Sequence, residues 1–346
     1  MTKSTSDRLR VGIIGAGIMG RNHALSLRSD PRAELVGVAS VPKEAAASFA
    51  AEFGASFHCE DYRELLARPD IDFVTIATPD HLHRDICAAA AQAGKHFMVE
   101  KPLTTSLSEA DELISVVKAS GVKAMTCFNH RWIPPYARAH QEIAAGNIGK
   151  PVLAYARKND RIHVPTKMLT WASSTTPSWF LSCHDIDLVT WFFGPEAVAT
   201  EVYATAVWGV LRARGIETPD AVQAQVRFSG GQLATFEACW IYPDSYPSMT
   251  DSFIEVVGEA GMMHLKRDSD QLELATKEGF EYPRHSIGQM IHGEQRGAVT
   301  DALRHMVSCI LEDREPLVTL ESSRHVTAIL DALHRSLESG VGEAVR

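Results

Sequence analysis

Three glycines near the start of the chain constrain its fold more than any other feature. Gly15, Gly17 and Gly20 stand in the order Gly-x-Gly-x-x-Gly, directly after the apolar run Val11–Ile14 and at the head of a helical stretch, Ile18–Arg28. In a strand–turn–helix unit the first glycine permits a tight turn. The second lets the backbone approach a pyrophosphate, and the third lets the helix pack on the strand. The helix N-terminus then offers free N–H groups and a partial positive charge to phosphate. A second strand, Leu35–Ala39, follows in the required order, so the unit reads as a dinucleotide-binding turn with Gly15, Gly17, Ile18, Met19 and Gly20 facing the cofactor. That second strand ends in Ser40 where a carboxylate for the ribose diol of NAD is expected, and Lys43 lies three residues on. No acid is there to repel a 2′-phosphate, which modestly favours NADP over NAD.

The rhythm continues to residue 128. Short runs rich in valine and isoleucine recur at Phe73–Ala77, His96–Glu100 and Lys123–Phe128, separated by helical patterns at Glu44–Phe53, His81–Ala93 and Ser108–Ala119. Strands that do not alternate polar with apolar are buried on both faces of a parallel sheet. Gly94 and Gly121 follow two of the helices, and Ser106 or Ser108 caps one. A doubly wound Rossmann sheet over residues 1–128 is expected.

Beyond that point the texture changes. Val222–Phe228 and Leu233–Ile241 flank Ser229-Gly230-Gly231-Gln232, a hairpin signal. Val198–Trp208, Phe253–Gly258, Met262–Leu265 and Gln271–Ala275 also read as strands, after a helix over Trp179–Phe193 that ends at Gly194-Pro195. Residues 129–346 are therefore expected to form an α+β domain with a mainly antiparallel sheet. Its closing helices, Glu294–Leu311 and Glu321–Glu338, can pack back towards the first domain. The polar first eight residues read as disordered.

The 346 residues suit two domains, and 45% apolar with 22% charged residues is the balance of a globular protein. A net charge of −9 argues against nucleic acid and anionic membrane as partners. No stretch reads as a signal peptide or a bilayer span. Six scattered cysteines without a Cys-x-x-Cys pair suit a reducing cytoplasm and no structural metal, and His81 with His83 at a helix start makes a poor zinc site.

Two further strings carry a family resemblance. The fourth strand runs into Ala77-Thr78-Pro79-Asp80-His81-Leu82-His83, and the fifth into Glu100-Lys101-Pro102. With the glycine turn, these resemble the glucose-fructose oxidoreductase / inositol dehydrogenase / MocA-like family over nearly the whole chain. Phe128-Asn129-His130-Arg131-Trp132 and His184-x-x-Asp187 also fit. The resemblance implies a Rossmann domain followed by an open-faced sheet that serves as a homodimer or homotetramer interface. It implies NAD(P) in the cleft between domains, with the substrate beside the nicotinamide. Thr78, Pro79, His83, Glu100 and Lys101 then fall on the cofactor side, and the peptide before Pro102 is a candidate cis bond. One departure stands out: the family's aspartate four residues before the histidine is Phe180 here, and the glycine-rich approach to it is missing.

Oxidising an alcohol sends a hydride to nicotinamide and a proton to a base. Lys101 and His184 are the candidates: one can hold the hydroxyl oxygen while the other takes the proton. A positive ring beside an ammonium favours its neutral form, and imidazole titrates near neutrality. The alternative for His184 is a hydrogen-bonded core histidine. Asp187, one helical turn on, can bind a substrate hydroxyl, set the imidazole tautomer, or simply face solvent. Asn129, His130, Lys158, Asn159 and Asp160 can read sugar hydroxyls or serve as surface residues, with Asn129 and Asn159 placed in the substrate set. Trp132, Trp171 and Trp179 can stack on a ring or pack in the core.

These residues point to an NAD(P)-dependent dehydrogenase of a sugar, inositol or related polyol. Two rivals stay open. One is an enzyme that retains NAD(P) and uses it transiently, of glycosidase or epimerase type. The other is a non-enzymatic NAD(P)-binding sensor.

Overall fold

The computed structural model describes residues 8–277 and 279–346. The expected disorder of the N-terminus falls on residues 1–7, which lie outside the described residues. The chain divides into two compact units. The first runs to Trp132 and resumes over Ile287–Arg324; the second comprises Ile133–Ser286 and His325–Arg346.

The first unit alternates β1 (Leu9–Ile14), α1 (Ile18–Arg28), β2 (Ala33–Ala39), α2 (Lys43–Phe53), β3 (Phe57–Cys59), α3 (Tyr62–Leu66), β4 (Phe73–Ile76), α4 (His83–Gln92), β5 (His96–Val99), α5 (Leu107–Ser120) and β6 (Ala124–Thr126). The strands form one sheet in the order β3-β2-β1-β4-β5-β6, and every pairing is parallel. This is the doubly wound Rossmann order, with its switch point between β1 and β4. All four residues of β4 are buried, as strands covered on both faces must be. Ser106 is the N-cap of α5, and Gly94 and Gly121 take left-handed φ of 68° and 70° after α4 and α5. Unexpected are β3, of three residues, and α3, of five, whose Asp61 cap accepts a hydrogen bond from the Arg63 N–H. Both are too short to show a period.

The second unit contains α6 (Pro134–Ala144), β7 (Pro151–Arg161), α7 (Cys183–Phe193), β8 (Ala199–Val207), β9 (Ala221–Phe228), β10 (Leu233–Tyr242), β11 (Thr250–Gly258) and β12 (Met262–Lys266). The sheet order is β12-β11-β7-β10-β9-β8, extended by Glu343–Ala344. It is antiparallel throughout except where β7 runs parallel to β10. One face packs on α7. The other face is open and exposes Leu153, Tyr203, Val207 and Met262.

Four readings of this half are corrected. β7, central to the sheet, was not anticipated: Ala154, Ala156, Lys158 and Asp160 on its α7 side give no apolar alternation. The strand expected over Gln271–Ala275 shrinks to Leu274–Thr276, an exposed piece paired with Gly279–Glu281. The helix expected from Trp179 begins at Cys183, after a π turn over Ser178–Ser182. The helix expected from Glu294 begins at Ala298, because Glu294–Arg296 pairs with Gln289–Ile291 and Gly297 intervenes at φ 116°. That helix, α8 (Ala298–Leu311), packs on α1 and β5 within the first unit, and α9 (Leu320–Ser339) closes the chain. No described helix is long and apolar enough to cross a membrane. All six cysteines are buried free thiols.

Candidate active site

The glycine turn lies at the carboxyl end of β1. Gly15 sits at φ 104°, and a Cβ there would stand 2.3 Å from the Ala77 carbonyl oxygen, in the neighbouring strand's exit loop. A Cβ on Gly20 would stand 1.9 Å from the Gly15 oxygen, so only glycine lets α1 close on the turn. Gly17, the N-cap of α1, is different: a Cβ there would meet nothing within 4 Å. The protein thus leaves the backbone at Gly17 approachable, at the positive end of an 11-residue helix with no acid in its first turn. Ile18 is exposed and Met19 half-buried beside it. Ser40, at the end of β2, accepts a hydrogen bond at Oγ from the Ala16 N–H at 3.2 Å, which ties the turn to the next strand. Lys43 is exposed on the first turn of α2.

The exits of β4 and β5 carry the next group. Thr78 keeps a buried Oγ1 without a hydrogen-bond partner, an orphan that a ligand would satisfy. His83 is fully buried and lies between two carbonyls, with Nδ1 2.7 Å from Pro102 O and Nε2 3.1 Å from Thr78 O. Burial holds this imidazole below its ordinary range despite both carbonyls, so the neutral ring can donate to only one of them. His83 therefore clips the Pro79 turn to the cis Lys101–Pro102 peptide. Lys101 itself is half-exposed, at the mouth of the sheet.

Glu100 anchors that lysine from below. Its Oε1 is 3.1 Å from Nε2 of the buried His23 on α1, and the Lys101 N–H reaches its Oε2 at 3.4 Å. Burial raises the Glu100 pKa, but His23 and the Lys101 charge outweigh it and hold the carboxylate below the usual range. Cys127, at the exit of β6, completes a buried trio whose ligating atoms lie within 4.8 Å of one another. Burial and the Glu100 charge push the Cys127 thiol well up. His23 and Cys127 both hydrogen-bond the Glu100 carboxylate, which makes the trio a network centred on that acid.

The Glu100 shift has a pH consequence. A carboxylate whose folded pKa is depressed contributes stability that is complete above its unfolded pKa, about 4.3, and that is lost as pH falls through the folded value. Urea midpoints should therefore fall on acidification below about pH 4.3, and Glu100→Gln should flatten that acid limb. Parallel acid limbs in the two proteins would refute the assignment.

Asn129 and His130 follow β6 in a short 3-10 turn and are both buried. Asn129 keeps a buried Oδ1 without a partner. Trp132 packs against His305, with ring centres 5.4 Å apart.

In the second unit His184 stands half-buried on the first turn of α7. Asp187, three residues on, is fully buried, which excludes the solvent-facing reading. Between them Asp185 turns to the sheet, where its Oδ1 meets Lys158 Nζ at 2.5 Å; Lys158 is 2% and Asp185 1% exposed. Lys158 also donates to Ser252 Oγ at 3.1 Å. Burial pushes the Asp185 carboxyl above its ordinary range against the pull of Lys158 and Arg267. Asn159 points to the opposite, open face and donates to Glu237 Oε1 at 2.9 Å and Tyr242 OH at 3.0 Å. Asp160 is buried as well, so none of the five polar positions is a surface residue. Phe180, at the position of the family's aspartate, packs between Trp171 and Trp240 with ring centres 6.1 and 5.7 Å away. A carboxylate there would sit between aromatic rings. Trp179 stacks on His334.

Sequence reasoning missed His23, Cys127, Asp185, Arg267 and Arg284. Asp185 had a signal, since it adjoins His184. His23 lies one turn past Gly20 on the face that α1 turns to the sheet. The two arginines belong to a stretch without periodicity.

Comparisons with known proteins bear on the family and the fold. The family model described as "Oxidoreductase family, NAD-binding Rossmann fold" matches residues 9–128, and the model of that family's C-terminal alpha/beta domain matches residues 140–345. The chain is 29% identical over 316 residues to scyllo-inositol 2-dehydrogenase (NAD(+)) of Bacillus subtilis, covering 90% of this chain and 89% of the relative. It is 32% identical over 264 residues to levoglucosan dehydrogenase of Pseudarthrobacter phenanthrenivorans, covering 67% of each. The crystal structure of scyllo-inositol dehydrogenase from Lactobacillus casei with bound NAD(H) and scyllo-inositol shares the fold, with a TM-score of 0.84 at 22% identity over 98% of this chain and 99% of that one. With both halves matched, the chain belongs to the glucose-fructose oxidoreductase / inositol dehydrogenase / MocA-like family of oxidoreductases.

Proposed function

We propose that this oxidoreductase is an NAD(P)-dependent dehydrogenase that oxidises a secondary hydroxyl of a sugar, inositol or related polyol. The observation that carries the reading is the convergence of the glycine turn, Thr78 and Lys101 at the carboxyl ends of β1, β4 and β5, adjacent strands of one sheet. Ligands bind at such ends, beside the switch point. The open backbone at Gly17, the acid-free first turn of α1 and the orphaned Thr78 Oγ1 fit a dinucleotide. Bound NAD(P) supplies the hydride acceptor. Residues 1–128 hold it through Gly15, Gly17, Ile18, Met19, Gly20, Ser40, Lys43, Thr78, Pro79, His83, Glu100 and Lys101. Residues 129–346 bind substrate and self-associate, with Asn129, His184 and Asp187 as polyol ligands; Asn159, on the sheet face away from α7 and engaged by Glu237 and Tyr242, leaves the expected substrate set. Lys101 holds the reacting oxygen, and His184 takes the proton that leaves it.

The test is reduced-nicotinamide absorbance with the purified chain, NAD and NADP separately, and a panel headed by scyllo-inositol and levoglucosan, the compounds named for two relatives. Cofactor reduction with any polyol supports the reading. Silence across inositols, aldoses, sugar acids and anhydrosugars, with cofactor bound, counts against it.

Ser40 and the neighbouring Lys43 favour NADP over NAD. A carboxylate at residue 40 would accept the ribose diol and repel a 2′-phosphate. Ser40→Asp should weaken NADP about tenfold, ~1.4 kcal/mol, and leave NAD unchanged or tighter. Equal affinities before and after would remove Ser40 from the ribose. We also propose a cytoplasmic homodimer or homotetramer joined through the open sheet face. Light scattering that gives a monomer mass would contradict this.

A further inference from the structure

The α7-facing side of the second sheet carries a cationic cluster near its β11–β12 edge. Two rows of residues run across the strands there. In the first, Lys158 on β7 stands opposite Ser252 on β11, and the Arg267 N–H donates to the Ser252 carbonyl at 2.9 Å, one residue beyond the Phe253–Lys266 pair. In the second, Asp160 stands opposite Thr250. Thr250 Oγ1 donates to Asp160 Oδ1 and accepts from Arg284 Nη1 at 2.8 Å.

Arg267 is the anomaly in this cluster. It is only 6% exposed, yet its Nε and Nη1 are buried with no hydrogen-bond partner among the described residues. A buried guanidinium is normally matched by a carboxylate or carbonyls, because an unmade bond to a desolvated charge is costly. The carboxylates whose fields it feels are engaged elsewhere. Asp185 is held by Lys158, and Asp270 accepts from the N–H groups of His285 and Ser286, both at 3.0 Å. Burial, and then the Arg267 charge, push Arg284 down to about 10. Two arginines thus repel each other in a desolvated region while one retains free donors. Asp185 adds an acceptor, since its Oδ2 is also buried without a partner. Asp185 directly follows His184, so the cluster and the proposed proton acceptor share one turn of α7.

We propose that Arg267 and Arg284 bind an oxyanion, and that the polyol oxidised by this chain carries a carboxylate or phosphate group. Each unpaired donor of Arg267, Nε–H or Nη1–H, can give a charge-assisted hydrogen bond to an oxygen of such a group. Asp185 Oδ2 accepts a hydrogen bond from a neighbouring hydroxyl of the same molecule. The acidic substrate rests on the dehydrogenase reading, whereas the oxyanion site does not.

Calorimetry on the full chain, without cofactor, separates the two. The probes are D-gluconate, D-glucose 6-phosphate and inorganic phosphate, with sorbitol as the neutral control. At least one anion should bind saturably at one site per chain, more tightly than sorbitol. Arg267→Met should weaken that binding at least about tenfold, and Arg267→Lys, which keeps the charge, should weaken it less. The order of gluconate and glucose 6-phosphate tells carboxylate from phosphate. Saturable binding by none of the three anions overturns the proposal, as does equal binding in a folded Arg267→Met protein. The wild-type comparison of anions with sorbitol holds even if that variant fails to fold. Arg267-dependent binding alongside a silent nicotinamide assay would keep the anion site and remove the dehydrogenase. Turnover of neutral polyols without anion binding would do the reverse.

Discussion

Lys101→Ala should lower turnover by about two to three orders of magnitude, the range set by losing a donor positioned at the reacting oxygen, while NAD(P) affinity changes by less than about threefold. The asymmetry follows from how the lysine is held. Its backbone is fixed by Glu100, which is itself fixed by His23, and the adjoining Pro102 carbonyl is held by His83. None of these contacts uses the lysine side chain, so truncation leaves the frame and removes only the amine. In the proposed site Lys101 is one of twelve residues that hold the dinucleotide, so cofactor affinity depends little on this one side chain. Steady-state kinetics combined with cofactor fluorescence titration read both quantities. Near-normal turnover would remove Lys101 from the chemistry, and lost cofactor affinity would make holding the dinucleotide its main role.

Lys158→Met should destabilise the fold by about 3–5 kcal/mol, measured by urea unfolding. Lys158 and Asp185 are both almost completely buried and joined at 2.5 Å, so removing the ammonium leaves the carboxylate in a low-dielectric site. The double variant Lys158→Met/Asp185→Leu should recover most of that loss, because a buried ion pair contributes little beyond what well-packed apolar groups supply. The non-additivity is the diagnostic. A loss of less than about 1 kcal/mol in the single variant would mean that water or Arg267 already satisfies Asp185.

Both predictions rest on residues of very different legibility. Lys101 was visible because Glu100-Lys101-Pro102 ends a strand of recognisable composition in a regular βαβ rhythm. In the first unit, burial on both faces writes each strand as a continuous apolar run, and glycines punctuate the turns. Lys158 carried no such mark. The side of β7 that packs on α7 reads Ala154, Ala156, Lys158, Asp160, and its open side reads Leu153, Tyr155, Arg157, Asn159, so neither face is consistently apolar. A strand that buries an ion pair loses the pattern by which strands are found. His23 and Cys127 were hidden for another reason: their partner, Glu100, is 77 residues from His23 in the chain. Only the pairing of strands brings them together. The expected helix start at Glu294 failed because polar residues with a glycine suit a helix entry and a tight hairpin equally well.

The division of the chain also constrains how the molecule can be made. The first unit needs α8, which returns to α1 and β5 after more than 150 intervening residues, and it is not finished until Arg324. The second unit needs the remainder of α9, where Val326, Ile329, Leu330 and Leu333 are buried. On a ribosome, neither core can therefore close before almost the entire polypeptide has emerged. A fragment cut after residue 128 or 132 would leave the faces that α8 covers exposed to water. Gene fusion or recombination cannot transplant this nucleotide-binding half as a contiguous cassette. Any insertion that survives must fall within a surface loop rather than at the apparent domain boundary.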